Sequence, residues 1–133
     1  MEHVNSYKNL EVYKLTRQLA REIFDITKKF PKEEMYSLTD QIRRSSRSVG
    51  GQIAEAWAKR KYEKHFVSKL TDADGEQMET QHWIETAYDC SYISKEVADN
   101  LLEKYESIGR MLNSMMNKAN KFCNNRLPIT DDR

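Results

Sequence analysis

Apolar and polar positions in this chain recur with the period of an α-helix almost from end to end. Val12, Thr16, Leu19, Ile23, Ile26 and Phe30 follow at steps of three and four, with Ala20, Phe24 and Thr27 beside them, so they share one helical face. Asn9 is an acceptable N-cap for that helix. Phe30-Pro31 ends it, because the residue before a proline is pushed out of the α region. A second stripe, Leu38, Ile42, Ser45/Ser46, Val49, Ile53 and Ala56/Trp57, follows Ser37, with Asp40 at N3 as a short relative of the capping box. The third holds Phe66, Leu70, Ala73, Gln77, Ile84, Ala87/Tyr88 and Ser91, with Met78 beside it. The fourth, capped by Ser94, carries Val97, Leu101, Tyr105, Ile108, Leu112, Met115, Ala119 and Phe122, widened by Met116. These spacings predict helices over about 9–29, 38–59, 62–92 and 95–122, with residues 1–8 frayed and a disordered tail over 123–133. Neither strand alternation nor repeat nor linker interrupts them. Four helices on short connections predict an all-α single domain over 1–133, an antiparallel up-down-up-down four-helix bundle.

Composition supports this reading. An apolar fraction of 38% with 32% charged suits long helices that each keep one wet face, and four Gly and two Pro are few for a sheet protein rich in tight turns. Gly50 and Gly51 each cost ~1 kcal/mol against Ala in a helix interior. A kink or very close packing is the expected return. Gly50, Ala54 and Ala58 lie opposite the core stripe, so this half of the second helix is small or apolar nearly all round. That predicts burial on two sides, the second against another copy, with Gly50, Gly51, Ala54 and Ala58 as candidate oligomer-interface residues. Trp83 and Cys90 sit off the third stripe, on the side of Asp72, Glu76 and Glu79; Trp83 is either a partly exposed aromatic or a further interface anchor. The N-terminus MEHVNSYKNL has no apolar core or cleavage site, and no apolar run approaches the ~18 residues of a membrane span. The expectation is a cytoplasmic protein with Cys90 and Cys123 reduced.

The net charge of +1 hides an asymmetry: residues 1–61 carry 13 Lys/Arg against 8 Asp/Glu, and residues 62–99 carry 3 against 9. The basic half concentrates its charge in Arg43, Arg44 and Arg47 of the second helix and in Lys14, Arg17, Arg21 and Lys28 on the outer arc of the first. The three arginines are candidates for phosphate contact, for pairing with the acidic third helix within or between subunits, or for a solvated cluster; the arc of the first helix is a solvated face or a contact for a polyanion or another subunit. Gly50-Gly51 could also be the turn of a helix-turn-helix reading over 46–61, but the hydrophobic phase runs unbroken from Val49 to Ile53 and favours one helix. Glu79-x-x-His82 has the spacing of a di-iron ligand pair, yet no second such motif accompanies it. His3 and His65 lack partners at zinc spacing, and Ser45, Ser46 and Ser48 lack a positioned base. No Gly-rich phosphate loop is present. The sequence therefore predicts no enzyme, no cofactor and no metal site.

Certain of these residues form a pattern of their own: Leu10-Glu-Val-Tyr, Phe30-Pro31 with Glu34, Leu38…Gln41-Ile42-Arg43-Arg44-Ser45, Ser48-Val49…Ile53-Ala54-Glu55, then Ala73, Gly75 and Glu79. With Tyr92-Ile93 and Met111-Leu112, they resemble the four-helix-bundle family of the 23S rRNA intervening-sequence protein, over roughly Asn9 to Phe122. The resemblance implies a bundle that assembles into a closed homo-oligomeric ring, most often a homopentamer, in a bacterial-type protein. The fold is shared with retroelement accessory variability proteins, which bind nucleic acid. It carries no catalytic residues to transfer. The chain departs from the pattern at Gln52, where Asn is usual, at Ala56 for Gly, at Gly50 for Pro and at Glu76 for a small Ser. Two functions are in view: a ring-forming scaffold holding RNA or a ribonucleoprotein through its basic faces, or a purely protein-binding oligomer using the acidic third helix.

Overall fold

The structure, a computed structural model, describes residues 5–123. Four α-helices, α1 (Glu11–Thr27), α2 (Leu38–Ala58), α3 (Glu63–Asp89) and α4 (Lys95–Asn117), are joined by short connections, and no strand occurs among the described residues. Single 3-10 turns lie at Tyr7–Asn9, Lys32–Glu34 and Ala119–Lys121. α2 packs on both α1 and α3, α3 also packs on α4, and α1 meets α4 more sparingly. One core runs through the bundle around Leu19, Val49, Ile53, Phe66, Leu70, Ile84, Tyr105, Ile108 and Leu112. Burying each Leu, Ile, Val or Phe side chain contributes roughly 1.5–3 kcal/mol before entropy is counted, so this core holds the fold. A smaller cluster of Phe30, Leu38 and Ala87 closes one end.

The helix ends show where local chemistry overrides periodicity. α1 starts at Glu11 behind Leu10, because Asn9 is taken up in the preceding turn. That turn is closed by the Lys8 N–H donating to Ser6 Oγ at 3.2 Å, and Tyr7 packs edge-on against Tyr13 with ring centroids 4.9 Å apart. Residues 5–8 are therefore ordered rather than frayed; the expectation for 1–4 lies outside the described residues. α1 stops at Thr27, two residues short of 29, and tightens into bonds from Lys29 N to Ile26 O and Phe30 N to Thr27 O, both 3.1 Å. Ser37 stands at the N-cap of α2, but its hydroxyl accepts no backbone N–H there. Glu34 takes it instead: its Oε1 accepts from Leu38 N at 3.2 Å, while its Oε2 accepts from the Tyr92 hydroxyl at 2.8 Å. One carboxylate thus ties the start of α2 to the α3–α4 connection, and the hydrogen bond it accepts, ahead of burial and its charge, pushes the Tyr92 phenol up to about 12.

α2 is a single helix through Gly50-Gly51, which removes the helix-turn-helix alternative. α3 ends at Asp89, short of Tyr92, in a Schellman arrangement: Ser91 turns left-handed at φ 64, and Tyr92 N bonds Ala87 O at 2.9 Å. Ser94 Oγ caps α4 by accepting from Val97 N at 3.1 Å. α4 ends at Asn117 rather than at 122, and Val97 points outward while Ala98 takes the core position expected of it. Met78 and Tyr88, placed in or beside the α3 stripe, are exposed. Cys123, expected in the tail, is buried near Glu63, and burial pushes its thiol up; residues 124–133 lie outside the described residues. Cys90 is exposed at the far end of α3, ~40 Å of helix away, beyond the ~7 Å reach of a disulfide.

Candidate nucleic-acid interface

Helical rotation sends the three arginines of α2 to different neighbours. Arg44 turns toward α3, where its guanidinium pairs with Glu76 at 3.4 Å and with Glu79. Glu79 also accepts from the Trp83 indole N–H at 3.0 Å. That indole first, and then Arg44, hold the Glu79 carboxyl below the usual carboxylate range. Trp83 is thereby half-buried against the core and bonded within its own chain. Further along the same seam Lys69 meets Glu55 at 2.9 Å, and the buried Thr80 hydroxyl donates to Ser45 Oγ at 2.8 Å. Ser45 is thus a hydroxyl in a close helix contact, and the buried Ser46 donates to its own helix at Arg43 O.

Arg43 and Arg47 turn the other way, toward α1. Arg43 Nε donates to Thr27 Oγ1 at 2.7 Å, and its guanidinium lies 4.7 Å from the Phe24 ring centre. Lys28 Nζ at 4.8 Å and Arg47 at 5.6 Å share that ring, so Phe24 collects three cations. Between α1 and α2 an open groove of about 460 Å³ runs past this ring. Tyr13, Thr16, Arg17, Ala20, Arg21 and Phe24 form its α1 wall; Ser46, Arg47, Gly50, Gly51 and Ala54 form its α2 wall. No carboxylate lines it. Gly50 keeps the helices close, since a Cβ there would stand 3.2 Å from Thr16 Oγ1 and 3.6 Å from the Tyr13 ring. Gly51 has open space on the outer rim.

The groove joins two sets of residues that stand apart in the sequence pattern: the basic Arg17, Arg21 and Arg47, and the small Gly50, Gly51 and Ala54. It leaves out Arg44, committed to α3, and Ala58, exposed beyond its end. Lys14 pairs with Glu11 at 3.6 Å; Arg21 and Lys28 reach Asp25 at 3.8 and 3.7 Å. These are exposed pairs worth ~0.2–1 kcal/mol each, readily exchanged for a stronger anion. Chemically the groove offers three guanidinium forks over a floor without bulk, an arrangement suited to phosphate oxygens. Tyr13, Thr16 and Phe24 were missed as lining residues. The signal available was weak: Phe24 stands four before Lys28, but its contacts with α2 depend on how the helices are rotated.

The α3–α4 side is a polar contrast. Gln77, 2% exposed, donates from Nε2 to Asp74 Oδ1 at 2.9 Å and accepts at Oε1 from Gln81 at 2.8 Å. It fits because Gly109 faces it; a Cβ there would come within 2.9 Å of Gln77 Nε2. The His82 ring contacts Trp83 at 4.7 Å, and among the described residues no three His, Cys, Asp or Glu side chains gather where a metal could be held. No helix there is long and apolar enough to cross a membrane.

Comparison with known proteins agrees with the residue pattern. A family model described as 23S rRNA-intervening sequence protein matches residues 8–114. The crystal structure of a protein of unknown function from the S23 ribosomal protein family of Bacteroides thetaiotaomicron is similar, with a TM-score of 0.73 and 27% sequence identity, over 80% of this chain and 95% of that one. No curated protein matches the chain. Neither description names an enzymatic activity.

Proposed function

Since the chain belongs to the 23S rRNA-intervening sequence protein family, we propose that it is a non-catalytic bundle that holds structured RNA, or a ribonucleoprotein, by its phosphate backbone in the α1–α2 groove. The observation that carries this reading is the lining of the groove: three arginines from two helices, no carboxylate, and a floor of Ala and Gly that lets a backbone approach. In the same proposal the helices run up-down-up-down, and copies in the cytoplasm close into a homo-oligomeric ring, a pentamer by family resemblance. Three phosphate contacts set the expected salt dependence, a slope of about −2 to −3 in log affinity against log salt on a duplex. Fluorescence anisotropy of a labelled RNA hairpin across a salt series measures it. Arg17→Glu/Arg47→Glu should abolish binding while light scattering shows the assembly unchanged. Binding indifferent to salt and to that double variant would overturn the proposal, and a monomer at high concentration would remove the ring.

A second reading has its own support. The same Gly and Ala floor would admit a helix of another copy, making the groove a contact in a purely protein-binding oligomer, with the acidic face of α3 as partner. That reading predicts the opposite result, loss of assembly in Arg17→Glu/Arg47→Glu with no RNA bound by the native chain.

A further inference from the structure

The groove has cations for a backbone but no free platform for a base. The Phe24 ring is occupied by Arg43, Lys28 and Arg47 at 4.7, 4.8 and 5.6 Å. Tyr13 is held edge-on by Tyr7 and lies beneath Gly50. Any base of a bound strand must therefore find its contact elsewhere. Arg47 supplies the continuation, because it lines both the groove and a second depression at the start of α2, where Met35, Asp40 and Arg43 are its neighbours. Met35, 50% exposed, lines that depression, and the next residue in the chain is Tyr36, 91% exposed. A tyrosine normally lays at least part of its ring on a neighbour; here both ring faces stand open in an ordered turn between α1 and α2. The character of the depression also changes: Arg44 is spent on Glu76 and Glu79, and the lining now includes a carboxylate, Asp40, and the apolar Met35, which suit a planar, uncharged base better than a phosphate.

We propose that Tyr36 stacks an unpaired base of the RNA whose backbone lies in the α1–α2 groove, so that the preferred ligand class is a paired stem with an unpaired nucleotide beside it. This rests on the RNA reading of the groove and adds a site to it. Aromatic stacking on a base is sequence-tolerant, because every base has a π face, so the preference concerns pairing state rather than sequence.

The test compares two labelled RNA hairpins of identical stem, one fully paired and one with a single bulged nucleotide, on the native chain and on Tyr36→Ala, Tyr36→Trp and Arg17→Glu/Arg47→Glu. The native chain should prefer the bulged hairpin by about tenfold, and Tyr36→Ala should erase that preference while leaving the paired hairpin within about twofold. Tyr36→Trp should restore it, with quenching of the new indole on binding. Equal affinity of the native chain for both hairpins, or a Tyr36→Ala loss equal on both, overturns the inference. So does a change in assembly size with RNA affinity intact, which assigns Tyr36 to a contact between copies. If the arginine double variant binds both hairpins normally while Tyr36→Ala loses the preference, the groove reading falls and the base contact stands.

Discussion

The two flanks of α2 are built from the same stretch of sequence and do opposite things. Toward α3 charge meets opposite charge: Arg44 pairs with Glu76 and Glu79, Glu55 with Lys69, and Ser45 and Thr80 are bonded at the buried centre. Toward α1 the charges have the same sign. Arg47 faces Arg17 and Arg21 across a groove whose lining has no carboxylate, with Arg43 and Lys28 gathered on Phe24 nearby. The acidic composition of 62–99 thus serves one flank only. An arginine cluster in sequence is not one functional unit in space; a rotation of 100° per residue decides which guanidinium is part of the scaffold and which remains available to a ligand.

The sharpest way to break this comparison is to truncate one arginine on each flank. Arg47→Ala should lower affinity for an RNA hairpin by about tenfold and reduce the salt slope by about 1, with little change in the denaturation midpoint. Arg44→Ala should do the reverse: RNA affinity within about twofold, and stability lower by roughly 0.5–1 kcal/mol, a small figure because Arg44 is about half exposed. Anisotropy and urea unfolding on both variants decide it. Two variants with the same binding loss would mean that the flanks are electrostatically one surface.

A somewhat smaller effect separates the two glycines. Gly51→Ala should stabilise by about 0.8–1 kcal/mol, since it removes a helix-interior glycine into open space. Gly50→Ala should gain little or nothing, because its Cβ would press on Thr16 Oγ1, itself fixed by donating to Tyr13 O at 2.7 Å. Urea midpoints at matched protomer concentration measure both. Equal gains would show that the groove floor can yield. A Gly51→Ala variant that dissociates would place a second copy against the rim of α2.

How much of this was legible in the sequence follows from the kind of signal each part leaves. The stripes of α1 and α2 were readable because their buried positions are largely apolar, and Leu19, Ile23, Ile42, Val49 and Ile53 all lie in the core. α3 was readable only in part. Its buried Thr80 carries no hydrophobic signal and is there to bond Ser45, and Met78 looks apolar yet faces outward. Hydrophobicity likewise selects Val97 over Ala98, but the helix phase buries the smaller residue. The cap of α2 went to Glu34 rather than Ser37 because Glu34 also serves Tyr92, a partner 58 residues away. The groove was the least legible part. Arg17 and Gly50 meet only through the mutual rotation of two helices, a tertiary quantity that neither stripe encodes, and the exposure of Tyr36 is likewise set by the turn around it.

The smallest effect tests the closed flank by pH. Trp83 and Arg44 both favour ionised Glu79, so its folded carboxyl titrates below its unfolded value. The sign follows: this contribution to stability is fully present above about pH 4.5 and is lost as pH falls through the folded value. Protonation of Glu79 weakens its acceptance from the Trp83 N–H, so indole emission should report the step. The measurement belongs in a Trp57→Phe background, because Arg60 lies 3.8 Å over the Trp57 ring and would add its own signal. Arg44→Ala should move the emission midpoint upward but not fully to the ordinary carboxylate range, since the larger influence, the indole, remains in place. An unmoved midpoint would mean that Arg44 does not hold Glu79 in solution. The seam would then rest on Ser45–Thr80 and Lys69–Glu55, and Arg44 would join Arg47 in being open to a ligand.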